Sequence, residues 1–239
     1  MIFAAGLGTR LRPLTDTRPK ALVEVEGRPM LWHVVAKLKA AGVERIVVNV
    51  HHFAEMVKDY LRANGHFGMD IRVSDESALL LNTGGGIRQA RALLDPESPV
   101  LIHNVDILSN ADLEALFQAG GCEGALLVSD RPSKRHLLFD DAMRLCGWED
   151  TSTGERKIRV ATAPLHRYAF SGIHLLTPRL LAEMDAWPER FSIIDFYLDM
   201  CQSHPLRGCL QPGLQLLDIG KPETLARAAD FFQTLQTQH

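Results

Sequence analysis

Apolar residues recur along this chain with two periods. Short β-rich runs, MIFAA, RIVVNV, MDIRVS and VLIHNV, alternate with longer segments, PMLWHVVAKLKAAG, AEMVKDYLRANG and GGGIRQARALL, in which apolar positions return every three to four residues. That alternation predicts a Rossmann-like α/β fold, a mostly parallel sheet flanked by helices. In the first helix Leu31, Val34, Val35, Leu38 and Ala41 share one face, Lys37 and Lys39 turn outward, and Gly42 supplies a C-cap. After Asn110 the pattern changes. GALLVSD, HLLFD, RLCGWED, KIRVA and YAFSGIHLL follow one another as strand-like pieces split by turn residues, which predicts an antiparallel elaboration of the C-terminal half. Two more helices, SIIDFYLDMCQSH and PETLARAADFFQTLQ, bracket a final pair of strands, LRGCL and LQLLDIG. The economical reading is one domain over residues 1–239, with the pattern changing between 1–110 and 111–239.

Composition narrows this little. Hydrophobic residues make up 46% and charged residues 23%, as in ordinary globular proteins, and a net charge of −3 disfavours a nucleic-acid binder. The four cysteines, Cys122, Cys146, Cys201 and Cys209, form no C-x-x-C pair and predict reduced thiols. MIFAA is too short for a signal core, and no later apolar run reaches the roughly 20 residues of a spanning helix. A cytoplasmic protein with no membrane partner is expected, as a monomer or small homo-oligomer.

Local charge is more telling. Gly6 and Gly8 follow the first strand directly, where a glycine turn lets backbone approach a ligand, and Arg10, Arg12, Arg18 and Lys20 come next. Leu11 stands where a dinucleotide fingerprint requires Gly, and no G-K-[ST] closes a Walker loop. Two readings stay open: a solvated charge run, or Arg10 and Lys20 converging on a polyphosphate.

The stretch "FAAGLGTRLRPLTDTRPKALVEVEGRPML" resembles the opening signature of the sugar-1-phosphate nucleotidylyltransferases. That resemblance implies the same α/β fold, a single nucleotidyltransferase domain with a nucleotide-binding half at 1–110 and a sugar-phosphate-binding half at 111–239, and a loop, with Ala5, Gly6, Gly8 and Thr9, that wraps a nucleoside triphosphate. It implies that Arg10 stabilises the phosphates and that Lys20 contacts the phosphate under attack. "SDESALLLNTGGGIRQA" is similar to an element in which amides opening a helix read the nucleobase, which carries over to Thr83, Gly84 and Gly85. "LIHNVDIL" is similar to the strand end that holds a metal-binding aspartate, here Asp106, although Val105 stands where the family more often has Gly. "LLDIGKPETL" makes Asp218 the second such aspartate, and "YAFSGIHLL" puts Gly172 on the acceptor side. The likeness is greatest to short bacterial members such as the N-acetylmuramate-1-phosphate uridylyltransferases.

The implied reaction is attack by a sugar-1-phosphate oxygen on the α-phosphorus of an NTP, with UTP the first expectation, giving an NDP-sugar and pyrophosphate. A phosphate monoester is already ionised near neutrality, so charge neutralisation and alignment are needed more than a strong base. Arg10, Lys20 and a Mg²⁺ held by Asp106 and Asp218 would supply them. Read without the family, each Asp is equally a turn or N-cap residue. Among the ten histidines, His51, His52 and His103 fall near strand ends without zinc-protease spacing, and structural or sugar-contacting roles are expected. Trp148 and Glu149 face either the acceptor pocket or the core. Two other functions remain: cytidylyl transfer to phosphocholine or another non-sugar phosphate, and a silent nucleotide-binding regulatory homologue.

Overall fold

The computed structural model describes residues 1–118 and 121–236. In chain order its strands are β1 (Ile2–Phe3), β2 (Glu24–Val25), β3 (Arg28–Pro29), β4 (Arg45–Val50), β5 (Asp70–Asp75), β6 (Val100–Asn104), β7 (Ile107–Ser109), β8 (Gly124–Ser129), β9 (Arg135–Phe139), β10 (Leu145–Asp150), β11 (Glu155–Ile158), β12 (His166–Leu176), β13 (Leu206–Leu210) and β14 (Leu216–Asp218). Its α-helices are α1 (Met30–Ala40), α2 (Ala54–Ala63), α3 (Asn82–Ala90), α4 (Leu113–Phe117), α5 (Pro178–Ala182), α6 (Ile193–Met200), α7 (Pro222–Leu225) and α8 (Ala228–Gln236).

The main sheet runs β11-β10-β9-β12-β6-β1-β4-β5, with β8 laid along β12 and β13 along β8. Strands β5, β4, β1 and β6 are parallel, and β12 joins β6 antiparallel. Chain order reverses between β1 and β6. In open α/β sheets such a switch point opens a crevice at the carboxyl ends of the two strands.

Period-2 alternation sorts side chains onto the two faces. Ile46, Val48 and Val50 of β4 enter one core cluster with α1 and α2, while Val47 enters the other, with Ile87, Phe196 and Tyr197 from α3 and α6. Both faces of the sheet are therefore covered, as its apolar strands require.

Helix α1 buries Leu31, Val34, Val35 and Leu38, and Gly42 follows it at φ +77° with its N–H on the Lys39 carbonyl at 3.1 Å. Two details of that expected face change. Ala41 lies past the helix end and is exposed. Lys37 does not point to solvent: its Nζ donates to the carbonyls of Ser109 (3.1 Å) and Ala111 (2.8 Å), and burial lowers its pKa.

The antiparallel half is present as predicted, with β8 and β9 on β12 and β10 on β9. The last two strands do not pair with each other. Instead β13 runs parallel to β8, and β14 forms a separate antiparallel ribbon with β7, opposing Asp218 to Ile107. The final helix is divided into α7 and α8.

Candidate functional site

A cavity of about 470 Å³ opens at the β1/β6 switch point. Ala5, Gly6, Lys20, Thr83 and Asp106, all singled out in the sequence, line it. On the β4/β5 side its wall includes Asn49 and Glu76, and on the β6 side Asn104. A second cavity, about 570 Å³, lies at the opposite ends of the strands, beside Met1, Arg45 and Asp70, and holds none of these residues.

The glycine loop is fixed from within. Gly8 takes φ +64°, and a Cβ there would stand 2.9 Å from Cγ2 of buried Thr15, whose hydroxyl donates to the Gly8 carbonyl at 2.8 Å. This turn calls for glycine on both counts. Gly6 faces open space. Thr9 opens the 3₁₀ turn Thr9–Leu11, whose Leu11 is fully buried and anchors the loop.

The cation run separates into two kinds. Arg12 pairs with Asp16 at 3.2 Å in solvent, and Arg18 is exposed. Lys20 instead ion-pairs with Asp106, both side chains nearly enclosed. Arg10 reaches the same place from the other end of the loop, and Gly220 locates the meeting point. A Cβ on Gly220 would stand 2.8 Å from Asp218 Oδ1, 2.9 Å from an Arg10 Nη and 3.0 Å from Asp106 Oδ2.

Two links bring Asp218 there. The Ile219 N–H donates to the Asp106 carbonyl at 2.9 Å, and the Gly220 N–H donates to Asp218 Oδ1 at 2.9 Å. Val105 does not displace Asp106, because its side chain joins the core and its N–H donates to the Phe3 carbonyl at 3.1 Å. Two carboxylates and the Arg10 guanidinium thus border a space that one methyl group would fill, and Lys20 joins them through its ion pair with Asp106. Among the described residues no three His, Cys, Asp or Glu groups form a metal cage. Asp106 and Asp218 are two hard oxygen donors that could hold a divalent cation only with waters or other groups completing its shell.

The T-G-G-G turn is pinned by the segment that leads into α6. The N–H groups of Gly84 and Gly85 both donate to the Phe191 carbonyl, at 2.9 and 3.3 Å, and Thr83 Oγ1 accepts from the Ile193 N–H at 2.9 Å. These helix-opening amides are engaged with protein and are not free for a base or an anion. Packing explains the glycines: a Cβ at Gly84 would lie 2.2 Å from the Phe191 ring, and one at Gly85 would lie 2.2 Å from the Glu189 carbonyl. Asn82, at φ +61°, and Thr83 are what this turn presents to the cavity.

Sequence reasoning missed the network beneath that wall. Asn49 Oδ1 accepts from the Ala4 N–H (2.8 Å), and its Nδ2 donates to Glu76 Oε1 (2.6 Å). Glu76 Oε2 accepts from the Leu81 N–H at 3.2 Å, so one buried carboxylate joins the ends of β1, β4 and β5 to the turn before α3. Burial raises the Glu76 pKa, against the two hydrogen bonds that favour its charge. A polar Asn inside the apolar run RIVVNV was the one available signal.

The remaining candidates sit elsewhere. His51 Nδ1 bonds the Glu76 carbonyl at 2.6 Å, and His103 is buried within the sheet. Trp148 packs against the core with Lys157 5.4 Å above its ring. Glu149 is buried against Arg167 at 2.7 Å. Gly172, at φ +79°, lies behind the cavity wall, where a Cβ would come within 2.5 Å of Asn104 Nδ2.

Comparison with known proteins agrees with this geometry. Residues 1–129 match the family model for nucleotidyl transferases. The chain is 34% identical over 232 residues to the N-acetylmuramate alpha-1-phosphate uridylyltransferase of Caulobacter vibrioides, covering 93% of this chain and 92% of that one. It is 33% identical over 195 residues to a mannose-1-phosphate guanyltransferase of Schizosaccharomyces pombe, covering 79% of this chain and 52% of that protein. Among solved structures, HddC from Yersinia pseudotuberculosis superposes with a TM-score of 0.77 over 97% of each chain at 22% identity, a likeness of fold. With its opening loop, its switch-point cleft and a match over more than half its length, the chain belongs to the nucleotidyl transferase family.

Proposed function

We propose that the protein transfers a nucleoside monophosphate from an NTP to a sugar-1-phosphate, releasing pyrophosphate, with UTP and N-acetylmuramate α-1-phosphate as the first pair to test. The observation that carries this reading is the convergence of Arg10, Asp106 and Asp218 around Gly220, with Lys20 paired to Asp106, beside the cleft. The choice of base and acceptor follows the uridylyltransferase that matches along most of both chains.

In the proposed step an acceptor phosphate oxygen attacks the α-phosphorus, a new P–O bond forms, and the α–β bridging bond breaks with its electron pair leaving on pyrophosphate. No proton need be removed from the nucleophile. Arg10 spans two phosphate oxygens with its planar fork, and Lys20 places a point charge where negative charge builds up during transfer. The glycine loop holds backbone at the triphosphate without side chains in the way. Asp106 and Asp218 would hold Mg²⁺, which when bound neutralises phosphate charge and orients the oxygens. Asn49 and Glu76 keep the opposite wall in register with the loop.

Pyrophosphate release with Mg²⁺ tests this, using each of the five common NTPs against a panel of sugar-1-phosphates and phosphocholine. Release that requires one NTP and one sugar-1-phosphate is expected. Turnover with phosphocholine alone, or nucleotide binding without turnover, would replace the reading.

A further inference from the structure

The ribbon that carries Asp218 is too short to hold itself in place. Strands β7 and β14 have three residues each and form a two-stranded sheet of their own, apart from the main one. Two such strands alone are marginal in water. Packing beneath them is incomplete as well, since a cavity of about 160 Å³ lies between α1, β7 and α8, bordered by His33, Lys37, Ser109 and Phe232. Ser109 is buried there, and its hydroxyl has no hydrogen-bond partner among the described residues.

Lys37 reaches across this gap. Its Nζ donates to the carbonyls of Ser109 (3.1 Å) and Ala111 (2.8 Å). Among the described residues it forms no ion pair: Asp112 acts on it through charge alone, and burial works against the ammonium. Taking that charge out of water is costly, and if packing were all that α1 needed here, an apolar side chain like those of Val34 and Leu38 would serve. The carbonyls it grips are placed to matter. Ser109 ends the strand that begins beside Asp106, and in the ribbon it opposes Leu216, on the strand that ends at Asp218.

Resting on the reaction proposed above, we propose that Lys37 is a positioning residue, which fastens the end of β7 to α1 and so sets the spacing of Asp106 and Asp218. Lys37 does not line the cleft and acts only through the ribbon. A divalent cation with two protein oxygens as ligands depends on their separation, so loosening the ribbon weakens the metal before it affects either substrate.

Wild type, Lys37→Met and Lys37→Arg are compared in two ways: Mg²⁺ titration of pyrophosphate release at saturating NTP and acceptor, and hydrogen exchange of the metal-free protein. Methionine keeps an unbranched stem and removes the donors, whereas arginine keeps donors. In Lys37→Met the half-saturating Mg²⁺ should rise about fivefold, as for one lost hydrogen bond, with both substrate KM values unchanged at saturating Mg²⁺. Amides over 107–110 and 215–220, including the Ile219 N–H on the Asp106 carbonyl, should exchange faster. Lys37→Arg should recover most of the wild-type Mg²⁺ requirement. Faster exchange with a wild-type Mg²⁺ requirement overturns the assignment and leaves Lys37 a structural residue, while the transferase reading stands. Unchanged exchange overturns it too. If wild type turns over no NTP and sugar-1-phosphate pair, both readings fall together. Should Lys37→Met fold poorly, Lys37→Gln keeps one donor group and is expected to shift the Mg²⁺ requirement in the same direction by less; no shift there also overturns the assignment.

Discussion

Lys20 and Gly220 carry the sharpest expectations for single substitutions. Lys20→Ala removes the charge nearest Asp106 and should lower kcat by about 100-fold or more with little change in NTP KM, if its contact strengthens as charge develops. Pyrophosphate release against varied NTP reads this, and parallel losses in both constants would assign Lys20 to ground-state binding. Gly220→Ala is subtler, because the backbone there is not in the left-handed region and the atoms nearest the new methyl belong to Asp218, Arg10 and Asp106. Turnover should fall at least about tenfold and the Mg²⁺ requirement should rise, with the denaturation midpoint near that of wild type. Wild-type metal titration in that variant would show that the four groups do not act together. Arg10, Lys20, Asp106 and Asp218 were all legible in the sequence because each sits in a local motif. Gly220 sits in the same motif as Asp218, but its closeness to Arg10 and Asp106 was not legible, since that depends on which distant atoms it approaches.

Amphipathic periodicity located α1 and α2 well, because one buried stripe per helix leaves a strong local record. The pairing of β13 and β14 was beyond reach: strands of five and three residues carry too few alternations to name a partner. For α3 the three glycines were legible but their purpose was not. Gly84 and Gly85 let the 189–191 segment lie directly on the helix, and Gly86 leaves room for the Glu76 carboxylate and the Asn49 amide, so the turn is a docking surface for the chain itself. Gly85→Ala should therefore cost about 3 kcal/mol of stability in urea unfolding, since the obstructing atom is a backbone carbonyl that cannot rotate away. A loss below about 0.5 kcal/mol would mean that this segment moves freely.

Across the molecule, the least expected electrostatic feature is a pair of histidines inside the sheet. Burial holds His103 down to about 4 and His174 down to about 3; His174 Nδ1 is bonded to the Tyr197 hydroxyl. In the unfolded chain both titrate near ~6.5, so as pH falls below that value the unfolded state takes up protons that the folded state refuses. Stability should be full above about pH 7 and decline through pH 5, by on the order of 2 kcal/mol per histidine at pH 5. Urea midpoints at pH 7.5 and 5.0 check this, and equal values would place compensating groups elsewhere. A larger consequence follows from the β7–β14 ribbon. It draws Asp218, near one end of the chain, onto a loop that begins five residues from the other, while the cleft wall is complete by residue 192. A ribosome therefore makes every residue that lines the cleft well before it delivers Asp218, and a nascent or clipped chain that holds them all would still lack the full charge cluster. Closure of that clasp makes the charge cluster a report on whether segments far apart in the sequence have folded onto one another.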